Sequence, residues 1–121
     1  MLVPTFDVVR LDEVTRGYVE AELSREPGFG ADVTLESTDL LLRFRPELVV
    51  DRIVPRPLLL VHGTENRLHS PEESQELFRR AGNPKELVLL EGAGHCEWMY
   101  DHHATFRRLS AALADFFAMA L

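Results

Sequence analysis

Arg56-Pro57-Leu58-Leu59-Leu60-Val61-His62-Gly63-Thr64-Glu65-Asn66 and Lys85-Glu86-Leu87-Val88-Leu89-Leu90-Glu91-Gly92-Ala93-Gly94-His95 are the two stretches whose reading decides the fold. Each is an apolar run that ends in a small loop with a polar residue at its tip. Between them, Ser70-Pro71-Glu72-Glu73 supplies an N-cap, a proline at the first helical position and a carboxylate at the third. Arg79 and Arg80 fall in the last turn of the same segment and Gly82 follows, so a helix is announced at both ends. Strand, helix, strand predicts two neighbouring parallel strands joined by one crossover. Asn66 and His95 then lie beyond the same carboxyl edge of the sheet, where open α/β sheets build their sites.

Working outward, Leu58 to Val61 is apolar at every position and reads as a buried parallel strand covered on both faces. Leu87 to Leu90 is the second strand. After His95, the positions Phe106, Leu109, Leu113, Phe116 and Ala120 keep helical spacing to the end of the chain. Towards the N-terminus, Met1-Leu2-Val3-Pro4 reads as the tail of a strand that Pro4 turns away. Leu11, Val14, Tyr18 and Ala21 mark a helix that breaks at Glu26-Pro27-Gly28-Phe29-Gly30. Thr34 is placed to cap a short helix carrying Leu35, Leu40 and Leu41, which must end before Pro46. Residues 6 to 46 are therefore expected to be helical and irregular, and 47–121 to run strand, helix, strand, helix within a single α/β domain.

Composition narrows the function classes. A chain of 121 residues, 45% of them hydrophobic, can bury roughly two-thirds of its unfolded surface as one domain. The formal charge of −7, with no dense Lys/Arg cluster, argues against nucleic acid, whose binding depends on neutralising phosphates. The single cysteine, Cys96, cannot form an intrachain disulfide, and no charged segment followed by an apolar one opens the chain; a cytoplasmic location is expected. The most apolar stretch, Leu109 to Leu121, is interrupted by Asp115 and falls short of the roughly 20 residues of a membrane span, so no membrane association is expected.

The strand-loop pairs ending at Asn66 and His95 resemble the C-terminal portion of an α/β-hydrolase, a superfamily whose triad runs serine, acid, histidine along the chain. Residues 1 to 4 look like the end of the strand before the lid, 1–46 like a lid-like helical segment, and 57 to 121 like the last two strands with their helices. Leu42-Arg43-Phe44-Arg45-Pro46-Glu47, with Arg52-Ile53 and Pro55-Arg56-Pro57-Leu58-Leu59, looks closest to dienelactone hydrolase-like and polyketide-associated hydrolases. The resemblance implies serine-dependent hydrolysis of a carboxylic ester, lactone or similar acyl substrate, without a metal or organic cofactor.

Within that pattern His95 matches the general base, which takes a proton from a nucleophile while a carboxylate on its other ring nitrogen holds the tautomer. Asn66 stands where the pattern has aspartate; it can hold the ring by a hydrogen bond but carries no charge and favours the wrong tautomer. Glu65 is a substitute acid if the loop rotates, and otherwise a solvated surface carboxylate. The nucleophile is missing: Ser24, Ser37, Ser70, Ser74 and Ser110 are the serines, and none lies in Gly-x-Ser-x-Gly. Cys96, directly after His95, reads as a small buried hydrophobe, and His62 as a packed strand-end residue. His69, His102 and His103 lack the spacing of a metal set. Trp98, Met99 and Tyr100 are either core or the wall of a pocket, and Arg43 and Arg45 a solvated or salt-bridged pair.

Three readings of the whole chain follow. It is the histidine-bearing part of an acyl hydrolase and inactive alone; or a non-catalytic module that assembles through an exposed sheet edge, as a homo-oligomer; or a half completed by a separate N-terminal hydrolase half that brings serine and oxyanion donors.

Overall fold

A computed structural model of the chain describes residues 1–5, 10–26 and 32–120. They divide into two compact units, Met1–Arg45 and Pro46–Leu121.

In the first unit, strand β1 (Leu2–Pro4) pairs antiparallel with β2 (Asp32–Thr34), Val3 facing Val33. The opening residues, read as strand, belong to a small antiparallel ribbon, and one expectation is corrected: the stretch from 6 to 46, expected to be helical and irregular, contains the partner strand. Three residues hold too little alternation for a strand to be read from pattern alone. Helix α1 (Glu13–Arg25) is capped by Asp12, whose Oδ1 accepts the backbone N–H groups of Val14 and Thr15, both at 3.0 Å. The face it buries is not the one that the apolar spacing marks. Val14 is 63% exposed and Thr15 is buried, its hydroxyl donating to Asp12 Oδ2 at 2.7 Å. The breaker at Pro27 to Gly30 lies outside the described residues. Helix α2 (Leu35–Arg43) starts as expected on Thr34, which accepts the Ser37 N–H at 3.0 Å. Arg43 pairs with Asp39 at 2.8 Å, and Leu40, Leu41, Leu42 and Phe44 are exposed.

The second unit holds the site. Two short 3₁₀ turns, Pro46–Leu48 and Val50–Ile53, lead into strand β3 (Leu58–Gly63). Helix α3 (Pro71–Arg80) then packs against β3 and against strand β4 (Lys85–Leu90). The two strands are parallel and in register from Leu58 opposite Lys85 to Gly63 opposite Leu90. Ser70 caps α3, accepting the Glu72 N–H, with Pro71 at its start. At the other end Lys85 Nζ donates to the carbonyls of Phe78 at 2.5 Å and Ala81 at 2.7 Å, placing a cation where the helix dipole is negative. A third 3₁₀ turn, Glu97–Met99, precedes helix α4 (Ala104–Ala120), and His103 Nδ1 accepts the Thr105 N–H at its start.

The core is the cluster of Leu90, Ala93 and Leu109, with Val61, Val88, Trp98 and Leu113 packed on it. Leu58 to Val61 are half-buried, not buried on both faces as their composition predicts. A run of apolar residues reports what the strand can bury, and among the described residues this sheet has two strands. Among the described residues no side chain is fully enclosed, and no helix is long and apolar enough to cross a membrane.

Candidate active site

The loops after β3 and β4 are stitched together by their backbones. Thr64 N–H donates to Leu90 O at 3.0 Å, Glu65 N–H to Ala93 O at 2.8 Å, and Gly92 N–H to Thr64 Oγ1 at 2.9 Å. The approach is so close that a Cβ on Gly63 would fall onto the carbonyl oxygens of Ala93 and Gly94. Glycine at 63 is therefore demanded by contact with the opposite loop.

This docking brings Asn66 to His95. The Asn66 side-chain amide donates from Nδ2 to His95 Nδ1 at 3.1 Å, while its Oδ1 accepts the backbone N–H groups of Leu68 and His69, both at 3.0 Å. Asn66 N–H also closes the turn onto Gly63 O at 3.3 Å. Glu65, the other acid candidate, is exposed and fixed through its backbone. The residue that reaches the ring is Asn66.

A second set of contacts escapes a sequence reading. His62 is buried, as its reading as a packed strand-end residue expects, with both ring nitrogens engaged: Nε2 lies 3.0 Å from His69 O and Nδ1 lies 2.7 Å from Ser74 Oγ. A carbonyl only accepts, so Nε2 carries the proton and the Ser74 hydroxyl donates to Nδ1. Ser74 on α3 and His62 on β3 thus hold residue 69 from one side while Asn66 holds it from the other. The pairs Ser74–His62 and Thr64–Gly92 join residues from different elements, and spacing along the chain carries no mark of them.

Beside these loops is an open cleft of about 330 Å³ whose lining includes Asn66, His69, Glu73, His95, Trp98 and Met99. His69 lies with its ring 5.5 Å from that of His95 and its Nδ1 3.4 Å from Glu73. Trp98 serves both roles left open by the sequence, packing on the core and lining the cleft, with its Nε1–H donated to Gly94 O at 3.1 Å. Met99 lines the cleft and Tyr100 stacks on His102 instead. Cys96 is buried and is in no disulfide. The Glu97 carboxylate accepts the Gly94 N–H through Oε1, tying the histidine loop to the turn that follows it. Glu72, at the start of α3, is held below the usual carboxyl range, first by the Ser70 hydroxyl.

The remaining serines sit on helices or caps: Ser24 donates to Ala21 O within α1, Ser37 bonds Thr34, Ser70 caps α3, and Ser110 lies in α4. None occupies a strand-to-helix elbow. Among the described residues no three His, Cys, Asp or Glu side chains are grouped to hold a metal ion.

Compared with known proteins, the chain matches no family model. It is 36% identical over 63 residues to the polyketide transferase ATR5 of Stachybotrys chlorohalonatus, covering 52% of this chain and 21% of that protein. It is 42% identical over 52 residues to the protein PA2218 of Pseudomonas aeruginosa (43% and 13% covered), and 31% over 75 residues to YfhR of Escherichia coli K12 (62% and 26% covered). The chain thus spans a quarter or less of the length of most of the curated relatives it matches. A crystal structure of the α/β hydrolase GrgF from Penicillium sp. sh18 superimposes on 99% of the chain with a TM-score of 0.73 and 20% identity, the match taking in 42% of that enzyme. Parallel strands, a single crossover helix, loops docked beyond their carboxyl ends and this superposition together show that the chain has an α/β fold, similar to that of the matched portion of the α/β hydrolase GrgF.

Proposed function

We propose that this chain supplies the histidine and acid loops of a serine-dependent acyl site, of the kind that hydrolyses or transfers the acyl group of an ester or lactone, while the nucleophile and oxyanion donors come from a segment outside these 121 residues. The observation that carries the reading is the Asn66–His95 hydrogen bond of 3.1 Å across two loops at the carboxyl edge of a parallel pair. A dienelactone hydrolase-like subtype accords with the short likeness to a polyketide transferase. The reaction so proposed needs no metal or organic cofactor, since proton transfer and covalent acyl transfer are carried by side chains.

The chain alone is expected to turn over p-nitrophenyl esters no faster than background. Joined to an N-terminal hydrolase segment bearing Gly-x-Ser-x-Gly, whether in one polypeptide or by complementation, it is expected to gain an esterase activity that His95→Ala abolishes. Asn66→Asp in that completed protein is expected to raise the rate about tenfold or more, because the acid-to-amide exchange costs roughly 10⁴ in a serine-protease triad. A completed protein whose rate is indifferent to His95→Ala overturns the proposal. Turnover by the chain alone that depends on His95 would place the nucleophile within it.

A second reading is favoured by the two-stranded parallel sheet, in which β3 and β4 have no further strand beside them among the described residues. In that reading the chain is a non-catalytic module that pairs through a free sheet edge, with a second copy or with a separate hydrolase half.

A further inference from the structure

We infer that Asn66 inverts the tautomer of His95, holding the neutral ring with its proton on Nε2 and its lone pair on Nδ1, so that only the minor tautomer of this histidine offers the Nε2 lone pair a triad base uses. The inference deepens the acyl-site reading and rests on it for its functional consequence, though not for its test.

The argument turns on which way the Asn66 amide faces. Its Oδ1 accepts two backbone N–H groups, those of Leu68 and His69. Turning the amide over would aim its NH₂ at both of those donors, losing two hydrogen bonds worth about 1 kcal/mol each and leaving the N–H groups unmet. Residue 69 is itself held on its far side, where its carbonyl accepts from His62 Nε2, and His62 is held in turn by Ser74 at 2.7 Å. The loop therefore presents Nδ2 to the ring. An amide NH₂ only donates, so His95 Nδ1 must accept, and the neutral imidazole has its proton on Nε2. An aspartate in the same cradle would keep the two backbone donors on one oxygen and offer the other oxygen to an Nδ1–H.

The consequence is chemical. A serine hydroxyl gives its proton to a lone pair at Nε2, and in this chain that lone pair is at Nδ1. A completed site would therefore turn over through the small population of rings that carry the proton on Nδ1. Glu73, in the lining of the same cleft, weighs against a carboxylate ligand and towards a neutral ester, lactone or ketone.

Long-range ¹H–¹⁵N correlation spectra of uniformly ¹⁵N-labelled protein at about pH 8.5, above the ordinary imidazole range, test the inference, with His95→Ala identifying the signals. Expected is a pyridine-type shift at His95 Nδ1 and a pyrrole-type shift at Nε2, with Asn66→Asp exchanging the two and Asn66→Ala moving both to the averaged position of mixed tautomers. A wild-type pyrrole-type Nδ1, an averaged pair in the wild type, or an Asn66→Asp spectrum with the wild-type pattern overturns it. The spectra need neither nucleophile nor turnover. Failure of the acyl-site reading, seen in the ester assay, is thereby distinguished from failure of the tautomer.

Discussion

Gly63 and Gly92 show, at the scale of single residues, two separate reasons for glycine. At Gly63 a Cβ would strike the carbonyls of Ala93 and Gly94, backbone atoms that cannot swing aside, so the two site loops would have to part. Gly92 has open space around it and is needed for its φ of 71°, where a side chain is strained but fits. Gly63→Ala is accordingly expected to cost about 3 kcal/mol, at the upper end for overpacking, and Gly92→Ala about 1 kcal/mol. Urea denaturation midpoints rank the two. Equal losses, or the larger loss at Gly92, would refute the claim that contact between the loops governs position 63. The same docking makes Asn66 the partner of His95 and leaves Glu65 exposed, a choice between adjacent residues that rests on the turn closed by Asn66 N–H onto Gly63 O.

At the scale of the element, helix α3 is the best-specified piece of the chain, and its charges can be tested. Glu76 accepts from Arg79 through both carboxylate oxygens at 2.7 Å and from Arg80 at 2.6 Å. These bonds, that of Arg79 foremost, lower its carboxyl from 4.5 to about 2. The folded form thus binds this proton more weakly than the unfolded chain does. The stabilisation is complete above pH about 4.5 and is lost as the pH falls towards about 2. The three groups are at the surface, so solvent and salt screen the effect and it is small. Glu76→Gln should lower the melting temperature slightly at pH 7 and low salt, by less at 1 M salt, and by only a small remainder near pH 2. A difference from wild type that is undiminished at pH 2 would show that Glu76 acts through packing and not through charge.

At the scale of the whole molecule, apolar surface is the dominant feature. Leu41, Leu42 and Phe44 in the first unit are 67%, 78% and 66% exposed, and Phe117 and Met119 at the end of α4 are 60% and 79% exposed. Soluble proteins rarely leave such groups and open sheet edges uncovered. A homo-oligomer or a complex with a hydrolase half is therefore expected, and light scattering on dilute protein checks it. A well-folded monomer that binds no apolar dye would show that these surfaces are tolerated as they stand.

Local signals along the chain determined much of this architecture. Ser70-Pro71 at one end of α3 and Arg79, Arg80 and Gly82 at the other, the apolar runs of β3 and β4, and the cap at Thr34 were all legible, because capping, proline geometry and hydrophobic spacing act over a few residues. The nearness of Asn66 to His95 was legible too, since one crossover between parallel strands leaves adjacent loops on one edge. Tertiary structure alone decided the rest. The pairing of β1 with β2, the half-exposure of β3, the burial of Thr15 in place of Val14, and the contact that forbids a side chain at Gly63 each depend on what arrives from elsewhere in the chain. So does the direction in which the Asn66 amide faces. An asparagine in a sequence has a donor end and an acceptor end, and only the two backbone N–H groups folded against its oxygen determine which of them meets the histidine.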